Sequence, residues 1–95
     1  MRIVSGERSV LLARSQAEGL PALVNQVLLA PREPAPLALP LATLRLELGA
    51  QGVLEWSEDG WRLLPQGDPQ RSQLVKANGA TAAALRAEAE RLLDR

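Results

Sequence analysis

The sequence predicts an α+β fold: a small antiparallel sheet, built from an N-terminal hairpin and a three-stranded meander, packed by a helix near residues 20–30 and a C-terminal helix. Three observations predict it. Residues Thr43 to Leu48 alternate polar and apolar side chains strictly, the period of a strand with one buried face. Asp59-Gly60 sits between two apolar runs that end and begin in tryptophan, a strong hairpin signal. Residues 20–28 and 82–93 instead carry apolar side chains at helical spacing.

From the N-terminus, Arg2-Ile3-Val4 and Ser9-Val10-Leu11-Leu12-Ala13 flank Ser5-Gly6-Glu7-Arg8. That pattern reads as a short hairpin with Gly6 in the turn, although the second run could also form one helical turn. Ser15 and Glu18 have capping-box spacing. Leu20, Leu23, Val24, Val27 and Leu28 then fall on one helical face. Gly19 and Pro21 weaken a start at Ser15, so a start at Leu20 with Pro21 near the first helical position is the alternative. Pro31 cannot continue the helix. Residues 31–40, PREPAPLALP, hold four of the seven prolines. They are incompatible with a helix or a central strand and read as an extended spacer.

The meander follows: Thr43–Leu48, a turn at Gly49-Ala50-Gln51-Gly52, then Val53–Trp56 and Trp61–Leu64 around Ser57–Gly60. Leu44, Leu46 and Leu48 share one face. A short helix over the first of these strands is the competing reading, because Pro40 precedes it and Gly49 follows it. Asp68-Pro69 resembles a cap and first-turn pair, which predicts a short helix over 69–77 that Asn78-Gly79 would end. Thr81 is expected to cap the last helix, whose stripe is Ala82, Leu85, Ala89, Leu92 and Leu93.

A chain of 95 residues is expected to make one domain, 1–95, with a modest core. Apolar residues make up 46% and charged residues 23%, with 11 basic against 11 acidic, the balance of a folded globular chain. Trp56 and Trp61 are the only aromatics, so leucine and valine must fill the core. Cysteine and histidine are both absent. Disulfides, thiol nucleophiles and thiolate metal sites are thereby excluded, along with the usual general base and the usual zinc ligand. Glu55, Glu58 and Asp59 gather around the hairpin turn, but an exposed tip offers neither the ordered oxygen set of a cation loop nor the cleft of a carboxylate pair. The serines and threonines have no histidine to activate them. Gly49–Gly52 lacks the lysine of a phosphate loop. No catalytic residue, cofactor, metal or small-molecule substrate is therefore expected.

No apolar run approaches the roughly 20 residues of a membrane span, and Val10–Ala13 is too short for the core of a signal peptide. A bacterial-type cytoplasmic location is the expectation. Trp56 and Trp61 should be cross-strand neighbours, a pair that fixes register or anchors a partner.

LATLRLELGAQGVLEWSEDGWRLL, residues 41–64, resembles the recognition helix and wing of winged-helix transcription regulators. The resemblance implies a helix that presents Thr43, Arg45 and Glu47 to DNA, with Ser57–Gly60 as the wing tip. This segment carries Arg45 and Arg62 against Glu47, Glu55, Glu58 and Asp59, an acidic excess where phosphate contacts need positive charge. Nucleic acid is accordingly not the expected partner. The leading expectation is a non-enzymatic protein–protein interaction or assembly module: an adaptor, a chaperone-like protein or a regulatory subunit. Its partner-binding residues would be Trp56, Trp61, Leu85 and Leu92, and a homodimer is the expected assembly.

Overall fold

The computed structural model describes residues 1–35, 42–67 and 71–95. Its frame is one antiparallel sheet of seven strands: β1 (Arg2–Ser5), β2 (Arg8–Leu11), β3 (Arg32–Pro34), β4 (Leu44–Glu47), β5 (Val53–Ser57), β6 (Gly60–Leu64) and β7 (Gln73–Val75). Their order across the sheet is β2-β1-β4-β5-β6-β7-β3. Among the described residues two α-helices, α1 (Leu20–Leu28) and α2 (Gly79–Leu93), complete it. The α+β class, the N-terminal hairpin, the meander, the helix near residues 20–30 and the C-terminal helix are present.

Strand pairing sorts the side chains into two faces, because residues directly opposite one another project to the same side. Val10, Ile3, Leu46, Leu54 and Leu63 form one continuous row across five strands. A second row on the same face joins Leu44 to Trp56 and Trp61. Nearly all of these side chains are buried, and α1 contributes Leu20, Val24 and Val27 while α2 contributes Leu85, Ala89 and Leu92. The core lies between this inner face and the two helices.

Each segment has a local reason for its conformation. Leu44–Glu47 is a strand and not a helix because alternation buries Leu44 and Leu46 on the sheet, whereas a helix would bury fewer of these leucines. Gly52, between β4 and β5, has φ of +101°, and a Cβ there would lie 2.3 Å from the Leu64 carbonyl oxygen. Only glycine meets both conditions. Helix α1 starts at Leu20 with Pro21 in its first turn, where a missing N–H costs nothing.

Three sequence expectations are corrected. The helix expected over 69–77 is replaced by strand β7, Gln73–Val75: β6 and β3 on either side supply a ladder, so pairing overrides a weak local signal. Asn78 does not end a helix but begins one, its side chain accepting the Ala80 N–H at 2.8 Å. Helix α2 therefore starts ahead of Thr81. Ser15 and Glu18 form no capping box; Gln16 Oε1 accepts the Ala13 N–H at 3.0 Å over a 3-10 turn, Arg14–Gln16. Glu18 lies in the left-handed region with φ of +54°. The extended-spacer reading of 31–40 is met by edge strand β3 at its start, while residues 36–41 and Asp68-Pro69 lie outside the described residues.

Helix α2 is fixed at both ends. Near its start, the Trp61 indole N–H donates to the Ala82 carbonyl at 3.0 Å. At its end, Arg8 donates to the Leu93 carbonyl at 3.2 Å and pairs with Asp94, placing a cation where the helix dipole favours one. Trp61 is 1% exposed and meets the half-buried Trp56 edge-on at 5.4 Å between ring centroids. Arg86 stands over the Trp56 ring, 5.3 Å from its centroid. The prediction is a graded series: Trp61→Ala should cost about 3–5 kcal/mol and Trp56→Ala about 1–3 kcal/mol, whereas Glu58→Ala and Asp59→Ala stay near 0.5 kcal/mol. Urea midpoints of the four variants check it, and equal losses at Trp61 and Glu58 would contradict it.

Candidate functional site

The two edges of the sheet differ chemically. Strand β3 closes one side with Arg32, Glu33 and Pro34, all exposed. Lys76 N–H donates to the Pro31 carbonyl at 2.7 Å and Ala35 N–H to the Ser72 carbonyl at 3.1 Å. By the parity of an antiparallel ladder, Arg32 and Pro34 then turn their main-chain groups outward. Proline has no N–H to offer there, and Glu33 is paired with Lys76 at 3.1 Å. Charge and proline are the usual means by which an edge is protected from further pairing.

Strand β2 has no proline, and its one charged side chain, Arg8, is drawn to Asp94 at the end of α2. Leu12 N–H donates to the Met1 carbonyl at 2.9 Å, so Arg8 and Val10 direct their main-chain groups to β1 while Ser9 and Leu11 direct theirs away from the sheet. No strand pairs with that side among the described residues. Leu11 is 69% exposed. Beneath the edge runs an open cleft of about 320 Å³ walled by Val10, Leu12, Gln16, Leu92 and Arg95. An extended backbone could add to β2 and drop alternate side chains into this cleft, the recognition mode of strand addition.

Charges frame the cleft. The Glu18 carboxylate pairs with both Arg91 and Arg95, and Arg91 pairs in addition with Glu88. Hydrogen bonding to Arg91, helped by the positive charge of Arg91 and Arg95, holds the Glu18 carboxyl below the ordinary glutamate range. Glu88 and then Glu18 stabilise the charged form of Arg91 in turn.

The outer face of the sheet is a different surface. Arg45, Glu55 and Arg62 stand opposite one another on β4, β5 and β6. Arg45 pairs with Glu55 at 3.3 Å, and Arg62 approaches Asp59 at 3.9 Å. Arg62 is only 8% exposed, its guanidinium donating to the Ala35 carbonyl at 3.1 Å. The same carbonyl accepts the Ser72 hydroxyl at 2.5 Å, so these groups join β3, β6 and β7. Two open grooves flank Arg45, one shared with Glu47, Val53, Leu64 and Pro65 and the other with Val4 and its ion-pair partner Glu55. Among the described residues no three His, Cys, Asp or Glu side chains gather as metal ligands.

Of the four residues singled out in the sequence, Trp61, Leu85 and Leu92 are buried and Trp56 is half-buried. Leu85 is 0% and Leu92 1% exposed, both in the core, because α2 lays its stripe on the sheet and on α1. They form no exposed apolar edge, though Leu92 reaches the floor of the β2 cleft. Trp56 and Trp61 are directly opposite and hence both on the inner face, so neither lies on the outer face of the meander. Trp56 alone is partly accessible. Arg45 and Glu47 stand on a strand, with Thr43 just ahead of it, and the recognition helix implied by the winged-helix resemblance is absent at these positions. Ser9, Val10 and Leu11 were not distinguishable in the sequence as an interaction edge. A run of uncharged residues, Ser9–Ala13, was the available signal, but strand order is set by distant pairing. Among the described residues, no helix is long and apolar enough to cross a membrane. Comparison of the chain with protein families, with curated proteins and with solved structures gives no match.

The ion pairs around Glu18 set a pH dependence. A carboxyl held below its unfolded value contributes stability that is present above that value and is lost as pH falls through the folded one. Glu18→Gln should therefore be less stable than the parent protein at neutral pH, with the difference vanishing in acid. Thermal unfolding of both proteins across the carboxylate range checks this, and a pH-independent difference would contradict it.

Proposed function

We propose that this protein is a non-enzymatic interaction or assembly module, acting in the cytoplasm of a bacterial-type cell through the open β2 edge and the cleft beneath it. The observation that carries the reading is the contrast between the two sheet edges. Proline and charge blunt β3, while β2 keeps outward main-chain donors and acceptors at Ser9 and Leu11 and an exposed leucine beside them. An unblunted edge next to an apolar side chain is a surface suited to another polypeptide.

Leu29 is also exposed, at 86%, but it stands alone at the end of α1. A single exposed leucine is ordinary on a protein surface. Leu11 differs in combining apolar surface, unpaired backbone and an adjoining cleft. The winged-helix reading finds less support: Arg45 is engaged by Glu55 on a strand, and the acidic hairpin tip opposes phosphate.

Photo-crosslinking in cells tests the proposal. A benzophenone side chain placed at Leu11 should form covalent adducts with a protein, and the same group at Ala83, exposed on α2, should form few. Equal yields at both positions, or none at Leu11, would contradict the reading.

A further inference from the structure

Resting on the reading of β2 as an interaction edge, we propose that its occupant is a second copy of this chain, joined edge to edge about a two-fold axis. Two β2 strands paired in this way run antiparallel, and the seven-stranded sheet becomes one of twice that width. With Val10 opposite Val10 of the partner, Ser9 and Leu11 of each copy exchange main-chain hydrogen bonds with Leu11 and Ser9 of the other. This register uses the outward groups that the β1–β2 ladder leaves over. The two Leu11 side chains become diagonal neighbours on the outer face, within reach of each other.

Charge selects this occupant. Glu7 precedes β2 and Arg14 follows it, both exposed and neither ion-paired among the described residues. A two-fold axis at Val10 exchanges the two ends of the strand. Glu7 of each copy then faces the extended Ala13 of the other, one residue ahead of Arg14 at the start of the 3-10 turn, so opposite charges share each end of one self-complementary edge. The intervening charge, Arg8, is already held by Asp94 and the end of α2, so it adds no repulsion at the seam. The other edge explains why assembly stops at two. β2 and β3 run parallel, so adding the β3 edge of one copy to the β2 edge of the next would build an open fibre. Pro34 withholds a donor from that pairing and the exposed Arg32 and Glu33 disfavour it. The two-fold pairing closes on itself.

Sedimentation equilibrium of the full chain at low salt, from about 1 µM to about 500 µM, reads the association. The parent protein should pass from a 10.2 kDa monomer to a dimer and no further. Leu11→Lys, at a site outside the core, should weaken dimerisation at least about tenfold while leaving the unfolding curve of the monomer unchanged. Glu7→Arg and Arg14→Glu should each weaken it, because each variant meets like charge twice across the axis. An equimolar mixture of these two variants should restore dimerisation, since every contact across the axis is then opposite in sign. A parent protein that stays monomeric throughout, a dimer indifferent to Leu11→Lys, or a mixture that does not associate would each overturn the two-fold pairing. The crosslinking outcome separates this from the broader reading: adducts at Leu11 that do not have the mass of a dimer would leave an interaction edge with a different occupant.

Discussion

The hydrogen bond from the Trp61 indole to the Ala82 carbonyl is the contact on which the rest of the architecture depends. An aliphatic core supplies area but little direction, since leucine and valine pack acceptably in several arrangements. A buried tryptophan is different: its N–H must find an acceptor, and the Ala82 carbonyl of α2 supplies it. That bond sets where α2 begins over the meander. The helix then runs across the inner face until Arg8 meets its C-terminal carbonyl and Asp94. One tryptophan on β6 and one arginine on β2 thus define the line of α2.

The position of α2 in turn shapes the surface. Its last turn stands over β2, so Leu92 floors the cleft and Arg95 borders it. Helix α1 connects β2 at one edge to β3 at the other, carrying the chain over the same face. With both helices on the inner side, the outer face must be stabilised differently. The Arg45–Glu55 pair and the Arg62–Ala35–Ser72 cluster do so with polar contacts. Burial of Arg62 is tolerable because its guanidinium is hydrogen-bonded, which offsets part of the cost of removing a charge from water. The sheet is therefore covered by helices on one face and stabilised by charge pairing on the other, and among the described residues its unblunted edge is β2.

Much of the frame was legible in the residues. The alternation of Leu44, Leu46 and Leu48, the Asp59-Gly60 turn between two tryptophans and the stripe of α2 are local signals, and local signals survive into the fold. What failed was of two kinds. Strand β7 has only three residues, too few for a period, and the nearby proline and asparagine suggested helix caps; pairing with β6 and β3 decided it. Asn78 illustrates the same limit, since asparagine both ends and begins helices. Strand order lay beyond the sequence altogether. The hairpin β1–β2 was visible, but not that β1 would pair with β4 and leave β2 outermost. The candidate site depends on that nonlocal fact, whereas the apolar character of Trp56, Trp61, Leu85 and Leu92, conspicuous in the sequence, serves mostly the core.

Hydrogen exchange followed by NMR on a dilute sample is the most direct measurement of the account. It predicts slow exchange at the Trp61 indole and at the amides of Arg8 and Val10, with fast exchange at Ser9 and Leu11. Fast exchange of the Trp61 indole, or uniform protection along β2 in the monomer, would contradict a fold closed through Trp61 and open along that edge.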